Sequence, residues 1–143
     1  AKDVAERFLR KSIARHWNGE LVRLYGHAHS DRMEDQLHCA EQWSGSHKDD
    51  PDLLMTLARL HLEHNDRDKA RDHLLEAVRL GGSREGYLEL GLLLESMGES
   101  DKALQCYRRG LQSPEVARQK TIAPEVSTPP AELVPVLESP ESR

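Results

Sequence analysis

Two stretches of this chain carry like residues at the same spacing, and that repetition leaves few folds open. Tyr87, Leu90-Gly91 and Leu94 are followed by Ala103 and Tyr107, with Pro114 closing the stretch. Upstream, Leu54, Leu57-Ala58 and His61 are followed by Ala70, Leu74 and Ala77. In both stretches the first large residue precedes the alanine by 16 positions, and the copies are offset by 33 residues. Within each copy the apolar positions recur at the period of an amphipathic helix. Each copy is therefore a helix pair. Paired helices approach as closely as their smallest contact residues allow, and bulky neighbours then settle into the grooves. Ala58 or Gly91 on the first helix and Ala70 or Ala103 on the second supply the small contacts, while Leu57, Leu74, Leu90 and Tyr107 fill the space around them.

The order of residues is that of the tetratricopeptide repeat, so the expected fold is all-α. It is a TPR-like α-α superhelix of about three helix pairs plus an N-terminal half repeat, followed by a Pro-rich C-terminal tail. Weaker copies extend upstream. Val22, Tyr25-Gly26 and His29 mark a first helix, and Gln36, Ala40 and Trp43 mark its partner. Ala5, Leu9 and Ser12 fit the second helix of a half repeat, because the step from Ala5 to Val22 is 17 residues, as is the step from Ala70 to Tyr87. The pattern predicts helices over 2–16, 19–29, 31–45, 51–64, 67–80, 84–97 and 100–112. Asp50 is placed to cap a helix opening on Pro51, and Asp31 with Glu34 resembles a capping box. Gly81-Gly82 and Gly98 stand where helices must stop in left-handed conformations.

Residues 1–112 form the expected repeat domain and 113–143 the tail, which holds six of the seven prolines. A segment of Pro, Ser, Glu and Thr buries too little surface to offset its ordering entropy, so the tail is expected to be disordered. One apolar patch within it, Leu133, Val134, Val136 and Leu137 around Pro135, is a candidate docking motif for a groove, its own or a neighbour's. Charge points away from nucleic acid, because Asp and Glu number 25 against 20 Lys and Arg and no basic face dominates. Cys39 and Cys106 are far apart in different predicted helices, which fits packed thiols in a reducing compartment. No apolar run approaches the ~20 residues of a membrane span, no signal peptide is visible, and the chain opens in mid-pattern. It reads as a piece of something longer.

First helices of stacked pairs line the concave face of such arrays, the usual binding surface. By register the inward positions include Met55, Arg59, Leu62, Leu88, Leu92 and Glu95. Helix 84–97 is apolar nearly all round, with Leu88, Leu90, Leu92, Leu93 and Leu94, so a cover is expected from the tail, a second copy or a partner. Inward Lys and Asn that would clamp a terminal carboxylate are missing, and Met55, Arg59, Leu88 and Leu92 stand in their place. His61 and His64 share a helical face near His73, and His27 and His29 lie at a helix end, yet no Cys or carboxylate is focused on either pair. No metal or cofactor is expected. Cys106 lies beside Arg108 and Arg109, which could lower its pKa, although a packed thiol is the simpler account. No nucleophile, base and oxyanion group assemble. The expectation is a binding protein and not an enzyme.

In their order, Leu21-Val22-Arg23-Leu24-Tyr25-Gly26, then Ala40-Glu41-Gln42-Trp43, then Asp49-Asp50-Pro51-Asp52-Leu53-Leu54 resemble the C-terminal part of the HemY family. Cys106-Tyr107-Arg108-Arg109-Gly110-Leu111 is similar to the family's last repeat. The resemblance covers residues 1–112 and none of the tail. It implies a bacterial inner-membrane protein whose membrane helices precede this stretch, with this domain soluble and cytoplasmic. It also implies a scaffold that gathers tetrapyrrole-biosynthesis enzymes or their intermediates. No catalytic residues carry over, and the Cys-Pro pair of haem-responsive proteins is missing, so haem or porphyrin held by a His site is not expected. The repeat alone equally allows a scaffold for an unrelated envelope assembly, or self-association through Leu88 and Leu92.

Overall fold

The computed structural model describes residues 2–81 and 83–113. Pro114 and the motif Leu133, Val134, Val136 and Leu137 lie outside the described residues. Seven helices follow one another: α1 (Lys2–Arg15), α2 (Gly19–His27), α3 (Met33–His47), α4 (Pro51–Glu63), α5 (Arg67–Leu80), α6 (Arg84–Ser96) and α7 (Ser100–Leu111). Among the described residues there is no strand. The chain has an all-α, tetratricopeptide-like fold: α4–α5 and α6–α7 pack as close pairs and α1 packs on α2, whereas α2 and α3, the expected first pair, each pack on α4 rather than closely on one another.

The packing residues of the two clear copies go inside. Leu57, Ala58, Ala70, Leu74, Ala77, Leu90, Leu94, Leu54 and Ala103 are all buried, and Tyr87 is half-buried. Gly91 and Tyr107 are in direct apposition, as the spacing required. Two cores result. One joins α4 to α7 through Leu54, Met55, Leu74, Leu90 and Leu94, with Tyr107 packed against it. The other joins α1 to α4 through Ile13, Val22, Tyr25, Leu53, Leu57 and Leu60. Helix α4 serves both and is buried on nearly every side, from Leu53 through Ala58 and at Leu60 and His61. The helix expected to be covered all round was α6. It sits at the end of the described array, and so its Leu88 and Leu92 stay open.

Helix caps follow local chemistry with instructive exceptions. Asp50 Oδ1 accepts from the Asp52 amide at 2.9 Å, and its Oδ2 accepts the Trp17 indole N–H at 2.8 Å. Trp17 also stacks on His47, so one residue ties the α1–α2 link to the α3–α4 corner. The capping box at Asp31 and Glu34 does not form, and α3 starts two residues later than predicted, with Arg32 at its N-cap. Asp3 of α1 reaches across instead: its Oδ1 accepts from Ser30 Oγ at 2.8 Å and from the Asp31 amide at 3.2 Å. Gly98 takes the left-handed φ of +83°, and Asn65 does the same at +59°. Gly81 ends α5 at φ −123° and needs no such freedom.

The first pair departs furthest from the repeat. Val22, Tyr25, Gly26 and Ala40 are buried as predicted, but α2 ends at His27 and His29 is exposed. Helix α2 leans on α4, where Gly26 leaves only 3.2 Å between a would-be Cβ and Thr56. The Thr56 hydroxyl donates to the Val22 carbonyl at 2.7 Å. Gln36 of α3 donates to the Tyr25 and Ala28 carbonyls, satisfying the open end of α2. In α1 the inward residues are Glu6 and Ile13, while Ala5 faces solvent. Leu9 packs on the second core as expected, but Glu6 and Ile13 rather than Ala5 and Ser12 are the buried neighbours, and the Tyr25 hydroxyl donates to the buried Glu6 at 2.6 Å.

Candidate protein-binding face

The first helices of the three repeats, α2, α4 and α6, present one continuous charged ladder. Arg23 of α2 pairs with Asp52 of α4 at 3.1 Å and with Glu85 of α6 at 2.8 Å. Arg59 of α4 pairs with Glu85 at 3.1 Å and with Glu89 of α6. The ladder arises from sequence position: Asp52 and Glu85 are the second residues of their helices, one repeat apart. Acidic residues in a first turn also suit the helix dipole.

Burial shapes the ladder's electrostatics. It pushes the Glu89 and Asp52 carboxyls above their ordinary range, and the Arg59 and Arg23 guanidiniums pull them back. His27 is held below the usual histidine value, first by burial and then by Arg59, so it is neutral at pH 7. Glu20 lies within electrostatic reach of Asp52, and Glu63 within reach of His27. Among the described residues five carboxylates thus lie about two guanidiniums on this face, with His27 and His29 as the neighbouring imidazoles, so carboxylates outnumber guanidiniums.

The residues singled out from the sequence divide on this face. Met55 is 3% exposed and belongs to the core beneath α6. Leu62 is partly buried against the same core. Arg59 is occupied by Glu85 and Glu89, which makes it an intrachain strut. Leu88 and Leu92 are open to solvent, and Glu95 is exposed while accepting the Tyr107 hydroxyl at 2.7 Å. The exposed part of the face thus sets the open Leu88 and Leu92 of α6 beside a carboxylate-rich ladder shared by α2, α4 and α6. Sequence reasoning missed Arg23, Asp52, Glu85 and Glu89. The shared repeat position of Asp52 and Glu85 was the signal that would have found two of them.

His61 and His73 pack on one another, and both cysteines are half-buried. His61 is buried and its ring lies 5.2 Å from that of His73, nearly parallel. Burial lowers both imidazole pKa values, with Glu41 opposing from 3.8 Å at His61. Among the described residues no group of three or more His, Cys, Asp or Glu is placed to hold a metal. Cys106 is half-buried, and burial raises its thiol pKa more than Arg109 lowers it. Cys39 is likewise raised by burial. Among the described residues no helix is long and apolar enough to cross a membrane.

Comparison with known proteins agrees with this architecture. The tetratricopeptide-repeat family profile matches residues 85–115, which span α6 and α7. A crystal structure of MamA superposes with a TM-score of 0.59 at 23% identity, covering 78% of this chain and 67% of that one. A second crystal structure of MamA protein gives 0.58 at 24% identity, covering 78% of this chain and 63% of that one. No curated protein matches the sequence.

Proposed function

We propose that this chain is a protein-binding scaffold whose first-helix face takes a partner segment bearing basic and apolar side chains. The observation that carries this is the excess of carboxylates over guanidiniums in the ladder across α2, α4 and α6, beside the exposed Leu88 and Leu92 of α6. A basic residue on the partner meets the acidic ladder, and an apolar residue is removed from water on α6. Electrostatic complementarity of this kind raises the association rate and fixes register.

The resemblance of residues 1–112 to the HemY family supports a finer placement. On that reading the chain is the soluble cytoplasmic part of a bacterial inner-membrane protein, anchored by a preceding segment. Its partners there are tetrapyrrole-biosynthesis enzymes, brought together without chemistry by the scaffold itself. A scaffold for an unrelated envelope assembly shares the same face and differs only in its partner.

Fluorescence anisotropy against labelled Lys/Leu and Glu/Leu amphipathic peptides tests the charge assignment. The basic peptide should bind more tightly, weaken as salt rises, and lose roughly tenfold in affinity on Leu88→Asp/Leu92→Asp, the ~1.4 kcal/mol expected of lost leucine burial. Equal binding of both peptides would refute the acidic-face reading. Capture from detergent-solubilised bacterial lysate tests the placement, and enrichment of a complex without tetrapyrrole enzymes would discard it.

A further inference from the structure

The last described pair carries an open, largely apolar groove. It measures about 340 Å3 and is lined by Arg84, Leu88, Tyr107, Gly110 and Leu111. One repeat earlier the same positions are covered. Met55, equivalent to Leu88, is 3% exposed against 48%. Leu74, equivalent to Tyr107, is fully buried, and Val78, equivalent to the 63%-exposed Leu111, packs on the core. What covers Met55 and Val78 is α6, whose Gly86 backs directly onto both side chains. The groove is therefore a seat for one more segment on the end of the array.

We propose that residues Leu133–Leu137 of this same chain fill that seat. Leu133, Val134, Val136 and Leu137 are the concentrated apolar residues of the chain beyond Ser113. Residue 134 precedes Pro135, which favours extended backbone there and sets Leu133, Pro135 and Leu137 on one side. Glu132 and Glu138 flank the motif, and Arg108 flanks the groove, sharing the exposed α7 stripe with Leu104 and Leu111. The same glutamates are repelled by the carboxylate-rich ladder across α2, α4 and α6, so charge directs the motif to the end groove and away from the concave face. Reach is sufficient. Residues 114–132 intervene, and a chain of that length can extend to at most roughly 60 Å, against ~20 Å for the whole of α6. The chain leaves α7 beside Leu111, so the motif is held near its seat at an effective concentration on the order of millimolar.

Hydrogen exchange of the full chain, read by mass spectrometry over 103–113, tests this. Leu133→Asp/Leu137→Asp should speed exchange at the end of α7 about tenfold, the factor for a ~0.1 mM site filled at millimolar effective concentration. The change should be independent of protein concentration and leave α4 and α5 untouched. Leu111→Asp, at an exposed position that the fold tolerates, should produce the same acceleration, and combining the two should add nothing further. Unchanged exchange in the tail variant overturns the proposal. So does protection that grows with protein concentration, which would seat a second copy in the groove, and so does equal acceleration across α4 and α5. Leu88 borders both the groove and the first-helix face, so anisotropy is also read on Leu133→Asp/Leu137→Asp, and failure of one inference is distinguished from failure of the other.

Discussion

Gly91 and Tyr107 offer the sharpest test of how the repeat is packed. A Cβ at Gly91 would lie 2.4 Å from Tyr107 Cε1, 2.8 Å from Cδ1 and 3.0 Å from Cζ. Carbon atoms rest at about 3.5–4.0 Å, so the ring would have to retreat by ~1 Å. It is not free to do so, because it packs on the α4–α7 core and its hydroxyl is tied to Glu95 at 2.7 Å. Overpacking costs about 1–3 kcal/mol, while alanine in place of a mid-helix glycine returns about 1 kcal/mol. Gly91→Ala should therefore destabilise by about 0–2 kcal/mol, despite the better helix former. The preceding repeat solves the same contact with Ala58 and Leu74, both fully buried. Gly91→Ala/Tyr107→Leu should consequently be more stable than the sum of the single changes by about 1–3 kcal/mol. Urea unfolding of the wild type, both singles and the double gives that coupling, and thermal melts should follow at about 4 °C per kcal/mol. Additivity within about 0.5 kcal/mol would refute the claim that these two positions are sized to each other.

Further outcomes follow from the same geometry. Ala70→Leu and Ala103→Leu, at positions 0% and 1% exposed, should each lower stability by about 1–3 kcal/mol in denaturant unfolding. Burial depresses the His61 and His73 pKa values, so the unfolded chain gains protons that the fold does not as pH drops below the ordinary value of 6.5. Stability should fall from pH 7 toward 5, and His73→Gln should flatten that part of a melting-temperature profile. Arg59→Met leaves Glu85 and Glu89 without their shared cation and should cost about 2 kcal/mol at neutral pH. Glu89 already has a raised pKa, so this cost is present above its folded value and should shrink as acid protonates it. Unfolding at pH 7 and pH 4.5 compares the two states. Sedimentation of the wild type and Leu88→Glu/Leu92→Glu shows whether α6 pairs two copies, since a wild-type dimer becoming a monomer is what that requires.

Fold and site were legible to different degrees. Six of the seven helices begin within a residue of where the repeat register puts them, and α3 is the exception, because Asp3 supplies from a distance what the local box at Asp31 does not. The face was half legible. Register identified Leu88 and Leu92, which are open, but could not tell that Met55 lies under α6 or that Arg59 is taken by two glutamates.

Sequence by itself determined what depends on spacing along one helix or between two neighbours. The alternation of small and large residues at Ala58, Gly91, Ala70 and Ala103 requires paired helices, and their 33-residue period requires the pairs to stack. Tertiary structure alone decided which chemically similar positions are core and which are surface. Met55 and Leu88 occupy the same place in their repeats, and one is buried while the other is exposed. Helix register sets the direction in which a side chain points, whereas its burial depends on whether another helix lies in that direction. That helix is present over Met55. Over Leu88 the described array supplies none.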